Sequence, residues 1–189
     1  MRSGRGQSAD GFSLIEVIVA TGILATGLLT LAGVFSVGLV HMAGSTPALI
    51  AREKAREAVE SVHTARDTGK LSWDKIANVV AGGGGVFLKN AQPLLIPGPD
   101  GLTNTSDDGY PLVGGVVQLE KQAGNDGILG TTDDVPLTLY TREVQITDLL
   151  NNGLSTVNTN LRQIKVIVRY QVSGYWRSYT LTTFVSSFS

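Results

Sequence analysis

Residues 12–40 read FSLIEVIVATGILATGLLTLAGVFSVGLV and contain one ionisable side chain, that of Glu16. An apolar run of about 18 or more residues is long enough to cross the hydrocarbon core of a bilayer as a helix. Glycines weaken a helix in water, but in lipid the backbone can satisfy its hydrogen bonds only within the segment. The run therefore predicts a transmembrane helix over residues 12–42.

A secretory signal peptide is the alternative for this run, with Arg2 and Arg5 as its charged front. Signal peptides have an apolar core of only about 7–15 residues and end in a small-residue cleavage site. This run is longer, and no Ala-x-Ala site follows it. Because Arg2 and Arg5 precede the span, we expect a single-pass helix with its N-terminus in the cytoplasm.

Composition excludes several classes of protein. The 189 residues include 15 Lys and Arg against 16 Asp and Glu, a net charge of −1, which argues against nucleic acid as a partner bound through bulk charge. The chain has no cysteine, so disulfides, thiolate metal sites and a cysteine nucleophile are excluded. It also has no GxSxG motif or other signature of an activated nucleophile, so we expect no enzymatic activity.

Glu16 is the anomaly of the apolar run. A carboxylate costs about 2.5–3.5 kcal/mol at the centre of a membrane helix, less near an end, and needs a cation. No Lys or Arg lies between Phe12 and Arg52. The segment Gly11-Phe12-Ser13-Leu14-Ile15-Glu16-Val17, however, closely resembles the cleavage and methylation site of type IV prepilins.

The resemblance implies that a prepilin peptidase cuts between Gly11 and Phe12, removing leader residues 1–11, and methylates the new N-terminus at Phe12. Glu16 then becomes the fifth residue of the mature chain. The new amine, with a reference pKa of about 7.7–8.0, is mostly protonated at neutral pH and supplies the missing cation. Pairing within one chain and pairing with a neighbouring subunit, as in the family, both remain open. Asp10 departs from the otherwise basic leader.

The resemblance also implies a function and a location. It implies a structural subunit of a type IV pilus, major or minor, that sits in the inner membrane before it joins an extracytoplasmic fibre. Its partners would be other pilin subunits, the prepilin peptidase, an inner-membrane assembly platform and membrane lipid. The segment GLLTLAGVF at 27–35 is most similar to minor pilins of the PilV type. A pseudopilin of a secretion or DNA-uptake system, and a single-pass anchored binding domain, are the alternatives.

The remainder of the chain predicts an α+β fold that is pilin-like, with a long N-terminal helix packed on an antiparallel sheet. We expect a break near Ser45, Thr46 and Pro47, where capping residues precede a proline suited to a helix start. An amphipathic helix then follows over 43–70, and a β-rich head over 71–189. The predicted elements of the head are a short helix at 73–80, a flexible glycine linker at 82–85, and strands at 112–120, 137–147, 161–172 and 175–185.

Two Asp-rich segments within residues 97–135 repeat with an offset of 26 residues. Each has an Asp-Gly turn, a Thr at the sixth position and an Asp pair at the eighth and ninth. Clustered carboxylates suit Ca²⁺, which takes about 6–8 oxygen ligands, although Asp, Gly and Thr also form ordinary surface turns. The candidate Ca²⁺ ligands are Asp100, Asp107, Asp108, Asp126, Asp133 and Asp134.

A small basic and aromatic strip is the other candidate binding surface. It would consist of Lys165, Arg169, Tyr175, Trp176 and Arg177, and stacking aromatics beside cations are what single-stranded DNA requires. Sheet packing and solvation account for the same residues, and we favour that explanation.

Overall fold

The computed structural model describes residues 11–81, 83–151 and 156–188, and it does not describe the side chains of residues 40–44. The fold is α+β, as predicted. Helix α1 spans Leu14–Asp67 and a 3-10 turn follows at Trp73–Lys75. The strands are β1 (Gln92–Pro93), β2 (Lys121–Gln122), β3 (Val135–Pro136), β4 (Tyr140–Leu150), β5 (Val157–Val172) and β6 (Tyr175–Ser186). The chain forms two compact units, Met1–Ala43 and Gly44–Ser189.

The first part of α1, Leu14–Leu39, is an apolar helix whose side chains are exposed. Its segment Leu14–Leu39 has a mean hydropathy of 2.2 and is long enough to span a membrane. The helix begins where the Ser13 carbonyl accepts hydrogen bonds from the backbone N–H groups of Glu16 and Val17. Threonines inside the run donate to carbonyls one turn back, as Thr26 does to Gly22, so their hydroxyls need no water.

The predicted helix break near Pro47 is wrong. Helix α1 is continuous from Leu14 to Asp67, and Pro47 lies inside it. Proline removes one hydrogen-bond donor and crowds the preceding turn, but its fixed φ of about −65° matches a helix. A single proline therefore costs stability without ending a helix that continues for several turns on both sides of it.

The second part of α1 packs one narrow stripe onto the sheet, as the sequence predicted. The stripe consists of small residues at helical spacing, and all are buried: Ala51, Ala55, Ala58, Val62 and Ala65. They share a core with the inward side chains of β4 and β5: Tyr140, Val144, Ile146, Ile164, Val166, Val168 and Tyr170. Small side chains at these positions make this face of the helix narrow and smooth, and they are buried together with the sheet residues.

The main sheet is antiparallel, with strand order β1-β4-β5-β6. The terminal hairpin follows the predicted pattern, because apolar residues alternate along β5 and Val172 pairs with Tyr175 across a two-residue turn. Ser173 and Gly174 both have positive φ, 51° and 84°, as a tight hairpin turn requires. Both strands of this hairpin match the prediction to within a few residues.

The predicted strand at 112–120 is wrong. Among the described residues, this segment forms only single bridges, Val113 with Val116 and Leu119 with Leu95. Gly114 and Gly115 have positive φ and reverse the chain there, so the apolar residues on either side cannot continue as one strand. The small ribbon β2–β3 lies directly beyond it.

Two local predictions before β1 also fail. The expected helix at 73–80 is reduced to the 3-10 turn Trp73–Lys75. Residues 83–85 are no flexible linker, because Gly85 lies so close to Ala77 that a Cβ at position 85 would collide with the Ala77 carbonyl. Phe87 N–H donates to that same carbonyl at 3.2 Å. Gly82 lies outside the described residues.

Candidate functional site

The processing motif lies at the beginning of the described chain. Gly11, Phe12 and Ser13 precede α1 and are exposed, and Glu16 is in the first helical turn. An exposed, non-helical peptide bond between Gly11 and Phe12 is the geometry that a peptidase needs, because a helix would shield the scissile carbonyl. Leader residues 1–10, including Arg2, Arg5 and Asp10, lie outside the described residues.

Glu16 lies on one face of the apolar helix with Ala20 and Leu24, and Phe12, just before the helix, lies beside them. Together with Val17 and Thr21, these residues line a shallow groove of about 450 Å³. Among the described residues, no cation pairs with the Glu16 carboxylate, which is exposed on the helix surface. In lipid this carboxylate therefore needs a partner from outside the described part of the chain, or an amine at its own N-terminus.

The two acidic repeats fold into loops of the same design. In the first acidic loop, residues 98–109, Asp100 Oδ1 accepts the N–H of Leu102 at 2.8 Å, and Asp107 Oδ2 accepts the N–H of Asp100 at 3.3 Å. In the second acidic loop, residues 124–135, Asp126 Oδ1 accepts from Ile128 at 2.8 Å and Asp133 Oδ2 accepts from Asp126 at 3.2 Å. The sequence repeat is thus a structural repeat.

The last Asp of each loop closes the turn in the same manner. Asp108 Oδ2 accepts the Asn104 N–H at 2.6 Å, and Asp134 Oδ2 accepts the Gly130 N–H at 2.8 Å. Asn104 and Gly130 both have positive φ, 69° and 98°. The shared Asp pattern therefore has a structural role in both loops, whether or not a cation binds.

The environments of the loops differ. The first loop is built into the head, where Leu102, Thr103, Asn104, Thr105 and Asp108 are buried, whereas the corresponding side chains of the second loop are mostly exposed. Burial raises the pKa of Asp108 above its ordinary value, although the N–H groups of Asn104 and Thr105 favour the ionised form. In the second loop, a hydrogen bond from the Thr131 hydroxyl lowers the pKa of Asp133.

The predicted calcium ligands do not form a ready-made metal centre. Among residues 11–81, 83–151 and 156–188, no three His, Cys, Asp or Glu side chains converge as metal ligands would. One oxygen distinguishes the loops: Asp134 Oδ1 is shielded from solvent and has no hydrogen-bond partner, whereas Asp108 Oδ1 lies 3.0 Å from the Thr105 hydroxyl. Calcium binding stays a prediction, and the second loop is its better candidate.

The structure also contains a buried ionic cluster that we did not predict from the sequence. Arg142 Nη2 lies 3.3 Å from Glu120 Oε1, and Lys54 Nζ lies 2.6 Å from Glu120 Oε2 and 2.7 Å from Glu57 Oε2. Burial alone would lower the pKa of Lys54, but the two carboxylates outweigh it and raise that pKa. The sequence did contain one signal for this cluster. Arg142 occupies an inward-facing position of β4, whose other inward-facing positions are Tyr140, Val144 and Ile146.

The proposed basic and aromatic strip is divided between the two faces of the β5–β6 hairpin. In the register, Arg169 pairs with Ser178 and Gln171 with Trp176, which places Arg169, Lys165 and Trp176 on the face away from α1. Tyr175 and Arg177 pair with Val172 and Tyr170, on the opposite face. The five residues do not form one stacking platform for a nucleic-acid strand, because neighbouring strand residues point to opposite faces.

Comparison with known proteins identified no relative of this chain. No family model, no curated protein and no solved structure matches it.

Proposed function

We propose that this chain is a structural subunit of a type IV pilus, major or minor, that is inserted in a membrane, cut between Gly11 and Phe12, methylated at Phe12 and assembled through its apolar helix. The observation that carries the proposal is the position of Glu16. It is the one acidic residue of an exposed apolar run of 26 residues, and it follows the candidate cleavage site by five positions.

Assembly explains why an exposed apolar helix and a carboxylate occur together. An apolar helix of this length is stable in lipid or in a bundle of similar helices. Within such a bundle an unpaired carboxylate is strongly disfavoured, so a helix position that brings a protonated N-terminal amine to Glu16 is selected. The amine of a neighbouring subunit would set the axial register of a fibre. The amine of the same chain would only neutralise the charge.

The head supports the proposal at a coarser level. Helix α1 continues from the apolar run into an amphipathic part that packs on an antiparallel sheet. This α+β arrangement is compatible with a pilin-like layout, although many unrelated proteins combine a helix with such a sheet.

Two alternatives remain as competitors. A pseudopilin would share the same processing and the same use of Glu16, and would differ in the machine that assembles it. A single-pass membrane-anchored binding domain would keep the leader or lose it elsewhere, and would not depend on Glu16. Processing at Gly11 therefore separates the anchored domain from both pilin classes.

The deciding experiment is the intact mass of the protein purified from its host membrane. We expect a chain that begins at Phe12 and carries one additional methyl group, with a tandem mass spectrum that places the methyl group on the Phe12 nitrogen. The matched control is the chain with Gly11→Leu, which we expect to remain inserted and uncut. An intact Met1 in membrane-purified protein, or a cut after residue 40, would overturn the proposal.

A further inference from the structure

The tip of the β5–β6 hairpin, residues 169–178, has cationic and aromatic side chains on both of its faces: Arg169 and Trp176 on one, Tyr175 and Arg177 on the other. Tyr175 is 76% exposed and Trp176 is 60% exposed, which is unusual for such large aromatic side chains. Arg177 is exposed and, among the described residues, forms no ion pair, while Arg169 lies 3.7 Å from Glu143. No Asp or Glu occurs between residues 157 and 189.

The tip lies at the same end of the head as Gly44, which is the first residue of the head unit. Arg52 Cζ is 5.8 Å from the centre of the Tyr179 ring, and Arg66 donates to the Phe188 carbonyl at 2.7 Å. Strand β6 therefore runs in the same direction as this part of α1. Tyr175 precedes Tyr179 by four residues, about 13 Å along a strand, so the tip extends past Arg52 toward Gly44.

Chain length keeps this end of the head near the membrane. Gly44, the first residue of the head unit, follows the apolar segment Leu14–Leu39 by five residues. Five residues span at most about 18 Å when fully extended. If the apolar segment is inserted, Gly44 is therefore within about 18 Å of the end of the membrane span, and the tip is at that end of the head.

We propose that the β5–β6 tip docks on the membrane surface, where Trp176 and Tyr175 sit among the lipid headgroups and Arg169 and Arg177 bind anionic headgroups. Tyr and Trp are enriched at membrane interfaces because each has an apolar ring and a polar group. The charges are complementary, since the tip has no acidic residue. Such docking would hold the head against the membrane before assembly, and it rests on the membrane insertion that the proposed function includes.

The two tryptophans of the chain provide the test and its control. The full-length chain with Trp73→Phe, which leaves Trp176 as the reporter, is reconstituted into vesicles of phosphatidylcholine and phosphatidylglycerol with a nitroxide on some headgroups. The control is Trp176→Phe, which reports from Trp73. Trp73 donates to the Thr159 carbonyl at 2.8 Å, 13 residues along β5 from Val172 and so about 43 Å of strand from the tip.

We expect the headgroup nitroxide to reduce Trp176 emission by more than half and to leave Trp73 emission nearly unchanged. Arg169→Gln and Arg177→Gln should each weaken docking about fivefold in vesicles with phosphatidylglycerol. Lys165→Gln, on the same hairpin but four residues from Arg169, should change it little. Circular dichroism of each variant verifies that the sheet is intact.

Three results would overturn the inference. The first is equal quenching of Trp176 and Trp73. The second is quenching that is unchanged when phosphatidylglycerol is replaced by phosphatidylcholine or when both arginines are removed. The third is quenching that appears only at high protein-to-lipid ratio, which would indicate contact between copies of the chain. If alkaline extraction releases the chain, the proposed function fails as well. If the chain stays inserted and is cut at Gly11, only this inference fails.

Discussion

The Arg142 guanidinium pairs with the Glu120 carboxylate at 3.3 Å, and both side chains are nearly inaccessible to solvent, with 1% and 5% exposed. This pair connects β4 to the segment that enters β2. Lys54, on α1, contacts the same Glu120 carboxylate. Arg142 Nε and Nη1 have no hydrogen-bond partner among the described residues. The pair is therefore a buried charge contact at the junction of three elements, and its energetics can be tested directly.

Removal of one member should destabilise the head more than replacement of both. We expect Arg142→Ala to lower the free energy of unfolding by about 3–5 kcal/mol, because Glu120 loses its most buried partner. The double variant Arg142→Met with Glu120→Leu should recover a large part of this loss, since the two apolar side chains need no charged partner and Lys54 keeps its contact with Glu57 at 2.7 Å. Chemical denaturation of the full chain in detergent provides the measurement. A double variant less stable than the single one would contradict the prediction.

Replacement of Glu16 should affect assembly and not insertion. We expect Glu16→Ala to remain in the membrane, because removal of a charge eases burial, and to be incorporated into fibres at a strongly reduced proportion. The measurement is the fraction of the variant in sheared fibres relative to the membrane. Thr26→Ala is the matched control, since the Thr26 hydroxyl bonds only within the helix, to the Gly22 carbonyl at 2.6 Å. Normal incorporation of the Glu16 variant would refute the assembly role.

Calcium should act through the second acidic loop. The unpartnered Asp134 Oδ1 leads us to expect that millimolar Ca²⁺, relative to EDTA, raises the melting temperature of the full chain in detergent. A site with a Kd of about 10⁻⁴–10⁻³ M would suffice for this effect. Asp134→Asn should abolish the shift, whereas Asp108→Asn, at the equivalent position of the first loop, should retain it. Superimposable curves with and without Ca²⁺ would leave both loops as ordinary turns.

The contribution of Asp108 to the free energy of unfolding should decrease as the pH rises through the range in which the Asp108 carboxyl titrates. Burial raises the pKa of the Asp108 carboxyl in the folded chain above the ordinary value of 3.8, so the folded state binds more protons there than the unfolded state. The contribution of Asp108 to stability is therefore greatest below pH 3.8 and falls until the raised folded pKa has been passed.

The test compares unfolding free energies of the wild type and of Asp108→Asn from pH 3 to pH 7. The difference, wild type minus variant, should decrease across this range, because the asparagine side chain of the variant has no proton to lose. A difference that stays constant with pH would show that Asp108 titrates alike in both states. Asp74→Asn is the control of opposite sign, since the Ser72 hydroxyl lowers the pKa of Asp74 in the folded chain.

Local patterns determined much of this protein. An uninterrupted apolar run implies a helix because lipid offers the backbone no other partner, and the same run isolates Glu16. Strict alternation with a Ser-Gly turn determines the β5–β6 hairpin, since strand side chains point alternately to two faces. The Ala51–Ala55–Ala58 spacing identified the packed stripe of α1. In each case the signal comes from residues near one another in the chain.

Tertiary structure decided what depends on distant residues. Whether Pro47 ends a helix depends on whether the turns on both sides of it stay helical, as they do here. Whether residues 83–85 form a flexible linker depends on Ala77, a residue that Gly85 approaches closely. Only the fold brings Arg142, Glu120 and Lys54 together. Only the sheet register shows that Trp176 and Arg177 lie on opposite faces of the hairpin, with Arg177 on the face toward α1. The two acidic loops share one local hydrogen-bond design because their sequences repeat, but one is buried and the other exposed because burial depends on what the rest of the chain packs against each loop.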